Sequence, residues 1–409
     1  MPLPYPLSRT AASLKRSVMR DLLALIARPG LISFAGGLPA DELLPRDQIQ
    51  TCIDAVLTRD GARALQYGPP YAPLKEQIAL YLGSRGVACA PDDVFITGGS
   101  QQGLEIAMRL LLDADESVAV ESFTFTGILQ AVRGHGGIPL PVPVEPTTGI
   151  HLDDLDAALT QKPRAAIIIP DFHNPLGVSL SEHKRIRIAD LIAEHGVPLI
   201  EDDPYSPLRY AGEHLKPIKA YDETDAVIYL GSFSKMLAPA MRLGWMIAPR
   251  GLLPKLTVLR ESIDLESSQL IQRAVAEFMA RGWLEPHLAR LNVVNLTRRD
   301  VMLAALEREL GGLADWTVPQ GGLFIWVTLH GDADTAALFH AALEQNVAFV
   351  PGHAFAAQDC TPNNSFRLNY SNATLERIEE GIRRLANVIR ERSCIPEVLT
   401  EHAHFLSTD

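Results

Sequence analysis

From Val94 to about Gly244, short β-branched runs alternate with stretches of helical periodicity. VFIT precedes QQGLEIAMRLLLD, SVAVE precedes TGILQAVRG, AAIIIP precedes SEHKRIRIADLIAEHG, and VPLIED, AVIYLGS and LGWMIA follow. Such alternation predicts an α/β fold with a mostly parallel central sheet covered by helices. AAIIIP and VPLI lack polar alternation, as strands buried on both faces require.

Upstream, Leu14, Val18, Leu22 and Ile26 recur at helical spacing until Pro29-Gly30, and ISFAGGLP reads as a short strand and turn. Helices are predicted over about 45–58 and 73–84, each opened near a proline. A long helical region over about 254–309 precedes LFIWVTL, VAFVPG and SFRLNYS as strands. The closing helix, LERIEEGIRRLANVIRER, sets Leu375, Ile378, Ile382, Leu385 and Ile389 on one face. The expected organisation is a large domain over 46–310 and a smaller α+β domain over 311–395. Residues 1–45 join the small domain, and 396–409 form a tail.

Composition narrows the function. A chain of 409 residues, 47% hydrophobic and 21% charged, has ample material for a globular enzyme of two or three domains. A net charge of −12 argues against a general nucleic-acid binder, which needs a basic face for phosphates. No apolar run approaches the ~20 residues of a membrane span, and MPLPYPLSRTAASLKRS lacks a signal peptide's apolar core. The expectation is a cytoplasmic protein that meets small molecules, with no nucleic-acid or membrane partner. Cys52, Cys89, Cys360 and Cys394 form no CxxC pair and no HExxH occurs, so no metal site is expected.

The unusual polar residues lie where apolar strands run out, which is where ligands gather in α/β sheets. TGGSQQG follows VFIT and opens a helix, giving free N–H groups and a helix dipole to an anion, although such a turn often needs glycine anyway. It is neither a GxSxG elbow nor a GxxxxGK[ST] loop. VPLI ends in Glu201-Asp202-Asp203-Pro204-Tyr205, and AAIIIP is followed by FHNPLG; each alone also reads as an ordinary turn. GSFSKMLAPAMRLGW sets Lys235 among small and apolar residues, seven positions before Arg242.

Taken in order, Ser100-Gln101, Asn174-Pro175-Leu176-Gly177, Asp202 with Tyr205, Ser232-Phe233-Ser234-Lys235 with Arg242, and then Arg367 form a joint motif set. On it the chain resembles the fold type I pyridoxal-phosphate enzymes, specifically class I/II aminotransferases of the kynurenine/2-aminoadipate kind, from residue 32 to about 392. The resemblance implies that Lys235 forms the Schiff base with the cofactor and that Asp202 pairs with its pyridine nitrogen. It implies that Asn174 and Tyr205 bond the phenolic oxygen, and that Ser100, Gln101, Ser232, Ser234 and Arg242 hold the phosphate. Arg367 would take the substrate α-carboxylate, with Asn174 and Gly37 beside the substrate. Tyr67 would reach the phosphate from a neighbouring subunit, making the active unit a homodimer. Two departures stand out: NPLG replaces NPTG, and Phe125 stands where relatives carry a tyrosine against the cofactor ring.

The implied reaction moves an amino group from an L-amino acid to a 2-oxo acid, 2-oxoglutarate by family habit. Phe34 to Pro39, Phe125 and Phe355 suggest a pocket for apolar or aromatic side chains. Arg20 is either an exposed helix arginine or a partner for the distal carboxylate of 2-aminoadipate, so aromatic, branched-chain and 2-aminoadipate donors stay open. The rivals are another pyridoxal-phosphate reaction on the same scaffold (decarboxylation, elimination or racemisation) and a cofactor-binding regulator. About 31 residues before ISFAGGLP are too few for a winged helix, which disfavours the regulator.

Overall fold

The computed structural model describes residues 6–8, 11–12, 30–358 and 363–393. The expected helix from Leu14 to Ile26, Arg20, Cys360, Cys394 and the tail lie outside them.

Apart from the two-residue antiparallel pair Val144–Glu145 and Gly149–Ile150, the strands in chain order are β1 (Ile32–Ser33), β2 (Val94–Thr97), β3 (Ser117–Glu121), β4 (Ile138–Val142), β5 (Ala165–Ile168), β6 (Leu199–Asp203), β7 (Val227–Ser232) and β8 (Gly244–Ile247). There follow β9 (Ala314–Trp316), β10 (Phe324–Leu329), β11 (Val347–Ala348), β12 (Val350–Pro351) and β13 (Ser365–Asn369). The first helices are α1 (Arg46–Asp60), α2 (Ala72–Ser84), α3 (Ser100–Leu111), α4 (Thr126–Gly134), α5 (Leu152–Thr160) and α6 (Glu182–His195). After them come α7 (Phe233–Met236), α8 (Leu253–Asp264), α9 (Gln269–Ala280), α10 (Leu284–Leu310), α11 (Thr335–Glu344) and α12 (Leu375–Ser393).

A seven-stranded sheet runs in the order β2-β8-β7-β6-β5-β3-β4. Only β8 is antiparallel to its neighbours within it. Both faces are covered: Ile167, Ile200 and Ile228 pack with α3 and α4 on one side, and Ala166, Ile168 and Leu199 with α5 and α6 on the other. The alternation is the strand period of two, which a sheet buried on both faces fills with apolar residues. The carboxyl ends of β2, β3, β5, β6 and β7 therefore share one edge. β8 begins at that edge, and Gly244 is required there because a Cβ on it would lie 2.8 Å from Gly99 Cα.

A four-stranded antiparallel sheet, β9-β10-β13-β12, forms a second layer with α11 and α12. VAFVPG divides between two structures: Val347–Ala348 pairs in parallel with Ile32–Ser33, and Val350–Pro351 joins the four-stranded sheet. Ile378, Ile382, Leu385 and Ile389 of α12 are buried in this layer's core, as are Met302, Ala305 and Leu306 from the end of α10. The long helical region expected over about 254–309 comprises three helices, α8, α9 and α10. Leu265, at φ 65°, turns the chain after α8, and Ser268 caps α9 by accepting from Ile271 N–H. Gly282, at φ 69°, then separates α9 from α10.

Candidate active site

Lys235 is presented by α7, the four-residue turn directly after β7. Ser232 Oγ accepts from Ser234 N–H at 3.1 Å, capping the turn, while Phe233 and Met236 anchor it in the core. Lys235 Nζ then donates to the Gly37 carbonyl at 2.6 Å. Burial, helped by the positive charges of Arg367 and Arg242, pulls the ammonium down to about 8. A lysine so placed keeps a fraction of its amine neutral near physiological pH, far more than an exposed lysine does.

Strand alternation sorts the three acids that end β6. Glu201 accepts from Ile218 N–H and Lys219 N–H at 2.7 and 2.8 Å. Asp203 accepts from Arg85 and Tyr229 at 2.8 Å each and from Ser206. Both are thereby committed to the framework. Asp202, between them, projects to the opposite face, where its Oδ1 is buried with no hydrogen-bond partner among the described residues. Burial, with Asp203 and Glu121 nearby, raises its carboxyl to about 7 against the Ser100 hydroxyl, which favours ionisation. A buried acceptor without a donor is costly, and this one suits a ring N–H.

Beyond β2, Gly99 at φ 97° turns the chain into α3, whose first N–H groups have no intrahelical acceptor. Arg242 closes over this turn, donating to the Gly98 carbonyl at 2.7 Å, to the Pro239 carbonyl at 3.3 Å and to Ser234 Oγ at 3.5 Å. Ser100, Ser232, Ser234 and Arg242 thus converge at one helix N-terminus, an arrangement suited to a phosphate. Gln101 donates to the Gly127 carbonyl at 3.1 Å, and Phe125 and Gln101 crowd the space where a Cβ on Gly127 would stand. A cavity of about 810 Å³ opens outward from Gly98, Gln101 and Arg242 toward Ile263, Ser267 and Ser268.

Arg367 of β13 reaches this edge from the second layer. It is buried and donates to Asn174 Oδ1 at 2.6 Å and to the Ala35 carbonyl at 2.5 Å. Its guanidinium lies 4.2 Å from the Phe324 ring centre and 4.7 Å from that of Phe355. Its Nε has no hydrogen-bond partner among the described residues. Burial depresses it to about 9, so the site holds a cation whose hydrogen bonds run to neutral oxygens and which gains from an arriving anion. Tyr205 packs edge-on against Phe324, its phenol raised by burial and opposed by Arg367 and Asn174.

Lys235, Asp202, Tyr205, Asn174, Ser100, Gln101, Phe125, Ser232, Ser234, Arg242, Gly37 and Arg367 therefore gather along one edge. Tyr67 stands apart, 80% exposed on the loop tied to α9 through Gln269, which donates to the Gly68 and Pro69 carbonyls. Arg20 lies outside the described residues. Reading the sequence missed Phe324, which has no motif around it. It also missed Glu121 and His173, whose only mark was position at a strand end and beside Asn174.

The donor set fits pyridoxal phosphate. The orphaned Asp202 Oδ1 suits the ring N–H, the Lys235 amine suits the aldehyde, and the α3 terminus with Arg242 suits the phosphate. Fold and site together define a fold type I pyridoxal-phosphate enzyme. The sequence profile of aminotransferase class I and II matches residues 32–385, and the chain belongs to that family. It is 37% identical to an aromatic-amino-acid aminotransferase of Thermococcus litoralis over 94% of both chains. The solved kynurenine aminotransferase of Pyrococcus horikoshii, in complex with PMP, superposes with a TM-score of 0.89 at 36% identity, over 94% of this chain and 97% of that one. The α-aminoadipate aminotransferase of Thermus thermophilus, complexed with N-(5'-phosphopyridoxyl)-L-leucine, gives 0.87 at 35% identity, again over 94% and 97%. The protein is an aminotransferase, and its cofactor is pyridoxal phosphate.

Proposed function

We propose that this aminotransferase takes its amino group from L-amino acids with aromatic or long apolar side chains, passes it to 2-oxoglutarate, and works as a cytoplasmic homodimer. The observation that carries the donor class is Arg367, a buried cation between the Phe324 and Phe355 rings. A carboxylate docked there enters beside aromatic surface. The names of relatives acting on aromatic amino acids and kynurenine agree with that class.

When bound, pyridoxal phosphate supplies an aldehyde for the amino group and a ring that takes up electrons from the substrate Cα–H bond. Asp202 would hold the ring nitrogen's proton from a site where, among the described residues, its carboxylate has no other donor at Oδ1. Arg367 grips the substrate carboxylate and, through Asn174, fixes the angle at which Cα meets the ring. Lys235 Nζ, about half of it neutral at pH 8, would take the proton from the substrate Cα and deliver it in the same half-reaction to the carbon that bore the cofactor's aldehyde oxygen, and the second half would run that transfer backwards. Ser100, Ser232, Ser234 and Arg242 anchor the phosphate end against these movements.

For the dimer, Leu65 and Tyr67 are 70% and 80% exposed, and Val258, Ile263 and Leu265 form further exposed apolar surface, Ile263 at the mouth of the 810 Å³ cavity. A second copy covering this face would bring its Tyr67 to the phosphate end. A donor panel with 2-oxoglutarate, scored for glutamate, tests the donor class. Phenylalanine, tyrosine, kynurenine and leucine are expected to exceed aspartate and alanine by at least about tenfold in kcat/KM. Equal or greater turnover of aspartate refutes it.

A further inference from the structure

Two fully buried ionisable side chains stand behind the site without a place in the chemistry above. Glu121 ends β3, and His173 precedes Asn174. Glu121 Oε2 accepts from Ile169 N–H at 3.0 Å and lies 3.0 Å from His173 Nε2, a close contact that is not a well-aligned hydrogen bond. On the other side of the ring, His173 Nδ1 accepts from Leu176 N–H at 3.4 Å. An imidazole nitrogen that accepts carries no proton, so the ring's proton sits on Nε2, facing Glu121.

The backbone of the same residue closes the turn. Gly177 N–H donates to the His173 carbonyl at 2.6 Å, and His173 N–H to the Val178 carbonyl at 2.8 Å. The turn so fixed, Asn174-Pro175-Leu176-Gly177, carries the Oδ1 that holds Arg367. Gly177 also packs against the Phe324 backbone, where a Cβ would meet the carbonyl at 2.5 Å, so the turn cannot shift toward the second layer. A chain of contacts runs from Glu121 through His173 and the turn to Asn174 and Arg367.

We propose that Glu121 and His173 are a positioning pair for the substrate carboxylate: Glu121 fixes the imidazole tautomer, and the imidazole pins the turn that aims Asn174 and, through it, Arg367. The inference rests on Arg367 receiving the carboxylate. Neither residue touches substrate, so their loss changes how well the carboxylate is held more than how fast the proton moves. The Glu121 charge also acts on Asp202, which ties the pair to the cofactor side.

Four substitutions separate positioning from bulk. His173→Phe fills the space without an acceptor, and Glu121→Met keeps length without one. His173→Asn keeps an acceptor near the Nδ1 position, and Glu121→Gln keeps an oxygen for Ile169 N–H and His173 Nε2–H. The readout is binding of 3-phenylpropionate to each holoenzyme, followed through the cofactor's visible absorption, alongside KM, kcat and the melting temperature. His173→Phe and Glu121→Met are expected to raise the dissociation constant and KM about tenfold with a smaller change in kcat, and the Asn and Gln variants to recover to within about threefold of the parent. The proposal is overturned if Phe and Met variants bind 3-phenylpropionate as the parent does, or if all four lose binding in proportion to lost melting temperature. Arg367→Ala provides the separate control: if it leaves 3-phenylpropionate binding intact, the carboxylate assignment fails and not the pair alone.

Discussion

At the scale of the residue, environment decides which lysine, aspartate and arginine carry chemistry. Lys235 was marked in the sequence by its neighbours, but the cause of its reactivity, burial beside two guanidinium groups, exists only in the fold. Because its ammonium is drawn down to about 8, the neutral amine is scarce at pH 6.5 and dominant at pH 9. Covalent capture of pyridoxal phosphate by the apoprotein should therefore accelerate with pH, with a midpoint near 8 in stopped-flow absorbance. A rate independent of pH from 7 to 9 contradicts the assignment. Asp202 gives a second test, because its protonation is linked to folding. Its folded carboxyl, near 7, lies above the unfolded value of 3.8, so the apoprotein loses stability as pH rises through that window. A bound N–H donor offsets the loss. The rise in melting temperature on adding cofactor should be larger at pH 8 than at pH 5, whereas Asp202→Asn should flatten the difference. Arg367→Lys, which surrenders the planar fork, should raise KM for the donor by roughly 10- to 100-fold with the cofactor band unchanged.

At the scale of the element, the strand-end motifs were legible because each couples a short apolar run to small or polar residues with a mechanical use. In EDDPY the resemblance singled out Asp202, but the physical reason for that choice needed the fold: β6 alternation turns Asp202 away once Glu201 and Asp203 find partners on the other face. Phe324 was not legible, since it sits in an ordinary buried strand and reaches Arg367 and Tyr205 only through the packing of one sheet against another. The helical region expected over about 254–309 is helical, but the breaks within it were not legible for a related reason. Its apolar spacing continues through Leu265, whose positive φ no local residue type announces. Gly244 supplies the test at this scale. Its Cβ would lie 2.6 Å from the Gly231 carbonyl and 2.8 Å from Gly99 Cα, so Gly244→Ala should destabilise the protein by about 1–3 kcal/mol and loosen cofactor binding. Chemical denaturation and equilibrium dialysis would measure the two effects, and a variant with unchanged stability would show that the turn is slack.

At the scale of the whole molecule, the large sheet supplies the cofactor end of the site and the second layer supplies Arg367, with Tyr205, Leu323 and Phe324 in one buried cluster between them. The α/β alternation predicted the first layer, while the join between layers needed the fold. Whether a second copy completes the site has its own experiment. Mixing Tyr67→Ala with Lys235→Ala chains should restore activity toward about one quarter of the parent's, since half the dimers would be hybrids with one intact site each. No recovery would place Tyr67 outside the neighbouring site.

The most direct measurement is a single half-reaction. Holoprotein mixed with L-phenylalanine and no oxo acid should lose its visible band and release one equivalent of phenylpyruvate per chain, with neither carbon dioxide nor ammonia, and 2-oxoglutarate should then restore the band. Continuous release of carbon dioxide or ammonia, or a band that phenylalanine leaves untouched, would contradict the account.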